Sequence, residues 1–101
     1  MLNKPYYEDY ANHAFRFYIR NPVFNPGSMS KASCEMWKSC DEVMNGLTDK
    51  ERTIMVAVFR SKKPMIDSVK LVAYNSHCTE NAVWQLLNRT AKAFAEKRGL
   101  I

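Results

Sequence analysis

Large apolar residues recur at intervals of three and four along most of this 101-residue chain, and no segment alternates apolar and polar residues as a half-buried strand does. In the first segment, Tyr6, Tyr10, Ala14 and Phe17 form one such line. This spacing places side chains on one face of an α-helix. We therefore predict an all-α single domain of about five helices.

Helix-breaking and capping residues mark the first two helices. The first helix is predicted over residues 5–19, because the two prolines and the glycine of residues 21–27 interrupt any continuation. Ser28 or Ser30 is suited to cap the second helix, which runs to about residue 45. Gly46 is then expected to end this helix in a left-handed conformation.

The third helix has the clearest start signal in the chain. Thr48 is followed three residues later by Glu51, which is the spacing of a capping box. The fourth helix is predicted over about residues 66–75 and stops before a short polar turn. Thr79 then caps a long final helix that runs from Glu80 to about residue 97.

The helical spacing also predicts which side chains form the core of the last four helices. We expect these positions to face inward because they repeat at the period of a helix. They are Met29, Ala32, Met36, Trp37, Cys40, Val43, Met44, Ile54, Met55, Val58, Phe59, Ile66, Val69, Val72, Ala73, Val83, Leu86, Leu87, Thr90 and Phe94.

The net charge of +5 is unevenly distributed along the chain. Residues 1–47 contain five basic and five acidic side chains, whereas residues 48–101 contain ten basic and five acidic ones, so the whole excess lies in the second part. A compact region with a positive excess favours a polyanionic partner. The charge distribution therefore directs attention to the carboxy-terminal half.

Composition and motifs argue against several other classes of protein. No apolar run approaches the roughly 20 residues of a membrane span, and no signal peptide precedes the first helix, which predicts a cytoplasmic protein without a membrane partner. The three cysteines lack paired metal-ligand spacing, so we predict no metal and no cofactor. A glycine-rich phosphate loop and a nucleophile elbow are both missing, and we predict that the protein is not an enzyme.

The segment from Val72 to Val83 has the pattern of a helix-turn-helix, in which a short turn joins two helices. The small side chain of Ala73 allows the second helix to cross the first closely. The turn, which contains His77, must reverse the chain within a few residues. Thr79 restarts the chain as a helix cap, and Val83 and Leu86 are spaced to seal the second helix against the first.

With these residues identified, the chain resembles the DNA-binding region four of bacterial sigma factors and sigma-like regulators of phages and mobile elements. The resemblance covers residues 47–98 and comprises the capping box that begins at Thr48, the Val72-Ala73 pair, the Thr79-x3-Val83 spacing and the basic final helix. Ser76 and His77 depart from it, because the family usually has leucine and glycine there. The resemblance implies a left-handed conformation at His77, which histidine adopts less readily than glycine. Residues 47–101 are thus assigned to the helix-turn-helix, and residues 1–46 to a two-helix segment in core or oligomer contacts.

The resemblance implies sequence-specific binding of double-stranded DNA in transcription regulation, with the helix after Thr79 inserted in the major groove. Asparagine and glutamine can pair with adenine, whereas lysine and arginine contact phosphates and supply affinity that depends on salt. RNA polymerase and a second copy of the chain are further candidate partners. The candidate DNA-binding residues are Thr79, Glu80, Asn81, Trp84, Gln85, Asn88, Arg89, Lys92, Lys70, Lys62 and Lys63.

Each of these assignments has a simpler alternative. Asn81, Gln85 and Asn88 also fit the solvated face of an ordinary amphipathic helix, and Trp84 also fits the edge of the core or a dimer contact. The aromatic residues of the first helix fit core packing or an oligomer interface. The competing hypothesis is therefore a protein-interaction module that uses the helix-turn-helix only as a scaffold.

Overall fold

The computed structural model describes residues 5–101, and all regular structure within them is helical. Five α-helices follow one another, with a short 3₁₀ turn at Pro26–Ser28 between the first two. The radius of gyration of 13.4 Å matches the value of about 13 Å expected for one compact domain of this length. The predicted all-α fold is confirmed. The helices are α1 Glu8–Arg20, α2 Lys31–Asn45, α3 Asp49–Arg60, α4 Met65–Asn75 and α5 Glu80–Lys97.

Three of the predicted helix caps, at Ser30, Thr48 and Thr79, are present as hydrogen bonds. The Ser30 hydroxyl accepts from the amide of Ser33 at 3.1 Å, so Ser30, and not Ser28, caps α2. At α3, the Thr48 hydroxyl accepts from the Glu51 amide at 3.1 Å while the Glu51 carboxylate accepts from the Thr48 amide at 3.0 Å. Both members of the capping box are therefore formed, and the α3 start is determined locally.

Two predicted helix ends are corrected. The first helix begins at Glu8 and not at residue 5, because residues 5–7 form a turn in which the Glu8 amide donates to the Pro5 carbonyl at 3.0 Å. Gly46 has a φ of −83°, so it is right-handed, and the predicted left-handed cap is wrong. The α2 end needs no left-handed residue, because Gly46 and Leu47 donate to the carbonyls of Val43 and Met44 in tight turns that lead directly to α3.

The core is centred on aromatic rings from three helices. Phe15 of α1 stacks on Phe59 of α3 with ring centroids 5.7 Å apart, and it also contacts Phe94 of α5 at 5.8 Å. All three side chains are buried. Because these rings come from both parts of the chain, α1 packs into the same core as α3 and α5.

The predicted core positions on α3 and α5 are all buried, but several others are not. Phe15 is the buried aromatic side chain of α1, whereas Tyr6, which lies in the turn before α1, is 75% exposed. Ala32 in the first turn of α2 is exposed, and Met29 precedes that helix. Ile66 is 62% exposed because Met65, one residue earlier, packs against the core, and adjacent residues lie about 100° apart around a helix.

Two partly buried hydrogen bonds join α1 and the residue after it to α2. The Trp37 indole nitrogen donates to the Asn21 carbonyl at 2.6 Å, which ties the end of α1 to α2. The Tyr18 hydroxyl donates to the Asp41 carboxylate at 2.7 Å, and burial, reinforced by this hydrogen bond, raises the pKa of Tyr18. Burial likewise raises the pKa of the Cys40 thiol, which keeps that cysteine in its neutral, apolar form.

Candidate nucleic-acid interface

The connection between α4 and α5 is a tight turn built from three successive backbone hydrogen bonds. The amides of Ser76, His77 and Cys78 donate to carbonyls in the last turn of α4, the shortest of these bonds being 2.9 Å. His77 has a φ of 55°, the only positive φ of a non-glycine residue among those described. The predicted left-handed turn at His77 is therefore confirmed, and Thr79 caps α5 by accepting from the Ala82 amide at 3.0 Å.

The two helices pack as the sequence pattern predicts. Ala73 on α4 is 3% exposed, and Val83 and Leu86 on α5 are buried against the same core. A small residue at the crossing allows the helices to approach closely. Because the inner face of α5 is used for this packing, its orientation relative to α4 is determined, and the opposite face is presented to solvent.

That solvent face has three amides and one cation in a line. Asn81, Gln85, Asn88 and Lys92 are separated by four, three and four residues, which places them on one side of α5, and all four are exposed. None of these side chains has a hydrogen bond or ion pair with another residue of the described range 5–101. We call these four residues the α5 amide stripe.

The remaining candidate residues on and before α5 differ in how free their side chains are to contact DNA. Thr79 and Glu80 are exposed at the amino-terminal end of the helix, although the Thr79 hydroxyl oxygen also accepts the capping bond. Trp84 is half-buried and packs against the core, which is the structural alternative considered for it. The carboxy-terminal part of the stripe is flanked by Arg89, which is exposed but forms an ion pair with Glu51 of α3.

The Arg89–Glu51 pair links the predicted capping box to the predicted DNA-binding helix. The amide of Thr48, followed by the guanidinium of Arg89, lowers the pKa of Glu51. Glu51 therefore stays ionised at neutral pH and holds Arg89 against α3. A phosphate contact from Arg89 would have to compete with this carboxylate, which makes Arg89 less available than the unpaired lysines.

Lys62 and Lys63 lie at the other end of α4 from Thr79, in the loop that follows α3. The eleven residues of α4 span about 16 Å, so these lysines are well separated from the start of α5. Ser68, which is buried, holds the loop by donating to the Ser61 hydroxyl at 2.8 Å and contacting the Lys63 carbonyl at 3.2 Å. Lys70, on α4 itself, is exposed between the two ends.

Sequence reasoning missed a group of basic side chains contributed by both halves of the chain. Arg16 and Arg20 of α1 lie beside Arg60 and Lys62 around one cavity. The four-residue spacing of Arg16 and Arg20 indicates a shared face of α1, but no local pattern pairs that face with the end of α3. Only the packing of α1 on α3 brings these cations together.

The left-handed conformation of His77 leads to a stability prediction. A residue with a Cβ is strained at this φ by about 1–2 kcal/mol, whereas glycine is not. Glycine also has more conformational freedom in the unfolded chain, and this cancels part of the gain. We therefore expect His77→Gly to raise the free energy of unfolding by up to about 1 kcal/mol. Urea unfolding measures the change. Ser76→Gly, at a φ of −96°, is the control and should give no gain; equal gains at both positions would contradict the assignment.

No three histidine, cysteine, aspartate or glutamate side chains in residues 5–101 form a group that could hold a metal ion. The described helices also include none that is long and apolar enough to cross a membrane. Comparisons with models of known protein families, with curated proteins and with solved structures found no significant match.

Proposed function

We propose that this protein is a sequence-specific DNA-binding regulator of transcription that inserts the start of α5 in the major groove. The observation that carries the proposal is the α5 amide stripe, which begins two residues after the Thr79 cap. Its side chains have no hydrogen-bond or ion-pair partner within the described residues. Asparagine and glutamine amides donate and accept at once, which matches the edge of adenine in the major groove. An α-helix with a free polar face fits the width of that groove.

The distribution of ion pairs supports the same proposal. Four of the ten basic residues in 48–101 are paired with carboxylates in the described structure, namely Arg52, Arg89, Lys97 and Arg98. Lys63, Lys70 and Lys92 are exposed and have no such partner. Unpaired cations before α4, in the middle of α4 and on α5 are suited to contact phosphates beside an inserted helix.

The amide stripe gives the direct test of sequence reading. A preferred site is first selected from randomised duplex oligonucleotides with the purified protein. Asn81→Ala and Gln85→Ala are then each expected to weaken binding to that site by about 1–3 kcal/mol, and to leave binding to a scrambled duplex nearly unchanged, because each removes a base contact and no phosphate contact. Fluorescence anisotropy at fixed salt measures both affinities.

Asn45→Ala is the matched control, because Asn45 is an exposed amide on α2, away from the stripe. It should bind both duplexes like the unmodified protein. Selection that enriches no sequence, or stripe variants that retain full preference for the selected site, would contradict the proposal.

A protein-interaction module is the second candidate, and the outer face of α4 favours it. Ile66, Leu71 and Tyr74 of α4 are 62%, 46% and 81% exposed. Leu71 also lines a groove of about 860 Å³ that is otherwise formed mainly by α3. Exposed apolar groups that lie together are typical of contacts with another protein. RNA polymerase and a second copy of the chain are the partners considered.

The two candidates respond to different substitutions. If α4 binds a protein, Ile66→Ser combined with Tyr74→Ser should abolish binding to purified RNA polymerase, or dimerisation measured by sedimentation, while DNA binding persists. Asn81→Ala should have no effect on either protein contact. A monomer that does not bind polymerase before any substitution would eliminate both of these partners.

A further inference from the structure

A cavity of about 400 Å³ lies between the second half of α1 and the end of α3, apart from the amide stripe. Its volume is within the range of small-molecule sites in proteins. Four basic side chains and two apolar ones supply most of its wall, and no carboxylate contributes to it. These residues are Arg16, Arg20, Arg60, Lys62, Ile19 and Phe59.

The positive charge of this cavity is not neutralised by carboxylates of residues 5–101. No carboxylate within residues 5–101 forms an ion pair with any of the four cations. Like charges repel, so an anion with several acceptor oxygens in the cavity would relieve this repulsion.

Helix dipoles explain only part of the cluster. Arg20 and Arg60 lie in the last turns of α1 and α3, where a cation is favourable without any ligand. Arg16 lies in the middle of α1, and Lys62 lies beyond the end of α3, so neither position is explained in this way. The Ser68 hydroxyl contacts the Ser61 hydroxyl and the Lys63 carbonyl, which fixes the backbone of the loop on either side of Lys62.

We propose that the cavity binds a phosphate group, with Arg16 and Arg60 as its principal ligands and Arg20 and Lys62 as additional positive charges. Guanidinium groups match phosphate oxygens through paired hydrogen bonds, and Arg16 and Arg60 both bring a guanidinium to this cavity. Ile19 and Phe59 provide an apolar wall beside the charged one. The phosphate belongs either to a small phosphorylated molecule or to the backbone of DNA. The site does not depend on the amide stripe reading DNA sequence.

Titration with inorganic phosphate and with pyrophosphate tests the site, with backbone amide NMR shifts as the readout and sodium chloride used to match ionic strength. We expect saturable shifts confined to residues 16–20 and 59–62. Arg16→Gln and Arg60→Gln should each weaken pyrophosphate binding at least tenfold, whereas Arg16→Lys should weaken it less because the charge is retained. Lys50→Gln, an exposed lysine outside the cavity, is the matched control and should bind like the unmodified protein.

Shifts that do not saturate, shifts spread over lysines throughout the surface, or full binding by Arg60→Gln would overturn the proposal. Arg60 is exposed, so this variant is expected to fold even if Arg16→Gln does not. A competition arm then identifies the source of the phosphate. Displacement of pyrophosphate by duplex DNA assigns the site to the DNA backbone, and simultaneous binding of both assigns it to a small molecule. Because this titration contains no DNA in its first arm, its failure is distinguishable from failure of the proposed DNA-binding function.

Discussion

Phe94→Ala is expected to lower the free energy of unfolding by about 3–5 kcal/mol, because it removes a ring from the centre of the core and leaves a cavity. Phe94 is fully buried and contacts Phe15 at 5.8 Å and Tyr10 at 5.4 Å between ring centroids. Both partners belong to α1, so the substitution removes the main aromatic contact between α5 and the amino-terminal segment. Urea unfolding followed by circular dichroism measures the change.

Tyr74→Ala is the control for Phe94→Ala. It removes an aromatic ring of similar size that is 81% exposed, and it should change stability by no more than about 0.5 kcal/mol. Phe94→Leu retains much of the buried volume and should lose less than Phe94→Ala, which preserves the comparison if the alanine variant does not fold. A loss below about 1 kcal/mol for Phe94→Ala would contradict a shared core for α1 and α5.

Replacing Lys63, Lys70 and Lys92 together with alanine is expected to reduce the salt dependence of DNA binding more than any other change considered. Each phosphate contact contributes about 0.9 to the slope of log affinity against log salt, so three contacts contribute about 2.7. Near 50 mM salt each lost contact corresponds to about a tenfold loss of affinity. Anisotropy titrations at several salt concentrations on the selected and scrambled duplexes give both quantities, and both duplexes should be affected equally.

Lys62 is omitted from this variant because it lines the basic cavity, so the two proposals are tested by different residues. Lys31, Lys38 and Lys50 replaced together with alanine provide the matched control, since they are exposed and change the net charge by the same amount. If both triple variants flatten the slope equally, affinity depends on net charge alone, and the specific phosphate contacts assigned to Lys63, Lys70 and Lys92 are wrong.

Local signals in the sequence predicted most helix boundaries. The Thr48–Glu51 capping box and the Thr79 cap form within three residues of chain, so the energy that starts α3 and α5 comes from residues that are close in sequence. Gly46 was predicted wrongly because its residue type permits a left-handed conformation but does not require one.

The sequence predicted burial less well for residues at the ends of helices than for residues in the middle of helices. Ile66 fits the apolar period of α4, yet it lies in the first turn, where a shift of one residue in the start of the helix determines which side chain faces the core. Met65 takes the inward position. Tyr6 shows the same effect, because it fits the apolar line of α1 but lies in the turn before the helix begins.

The sequence by itself determined the all-α class, the start signals of the later helices and the polar side of α5, because helical period and capping depend on residues within a few positions of one another. Tertiary structure alone decided that Arg89 pairs with Glu51 and that Arg16 and Arg60 line the same cavity. The two residues of each pair are far apart in the sequence. Contacts of this kind depend on how α1 and α5 pack against α3. Burial of the Phe15, Phe59 and Phe94 rings stabilises this packing of the helices. Local sequence patterns do not distinguish it from other ways of packing the same helices.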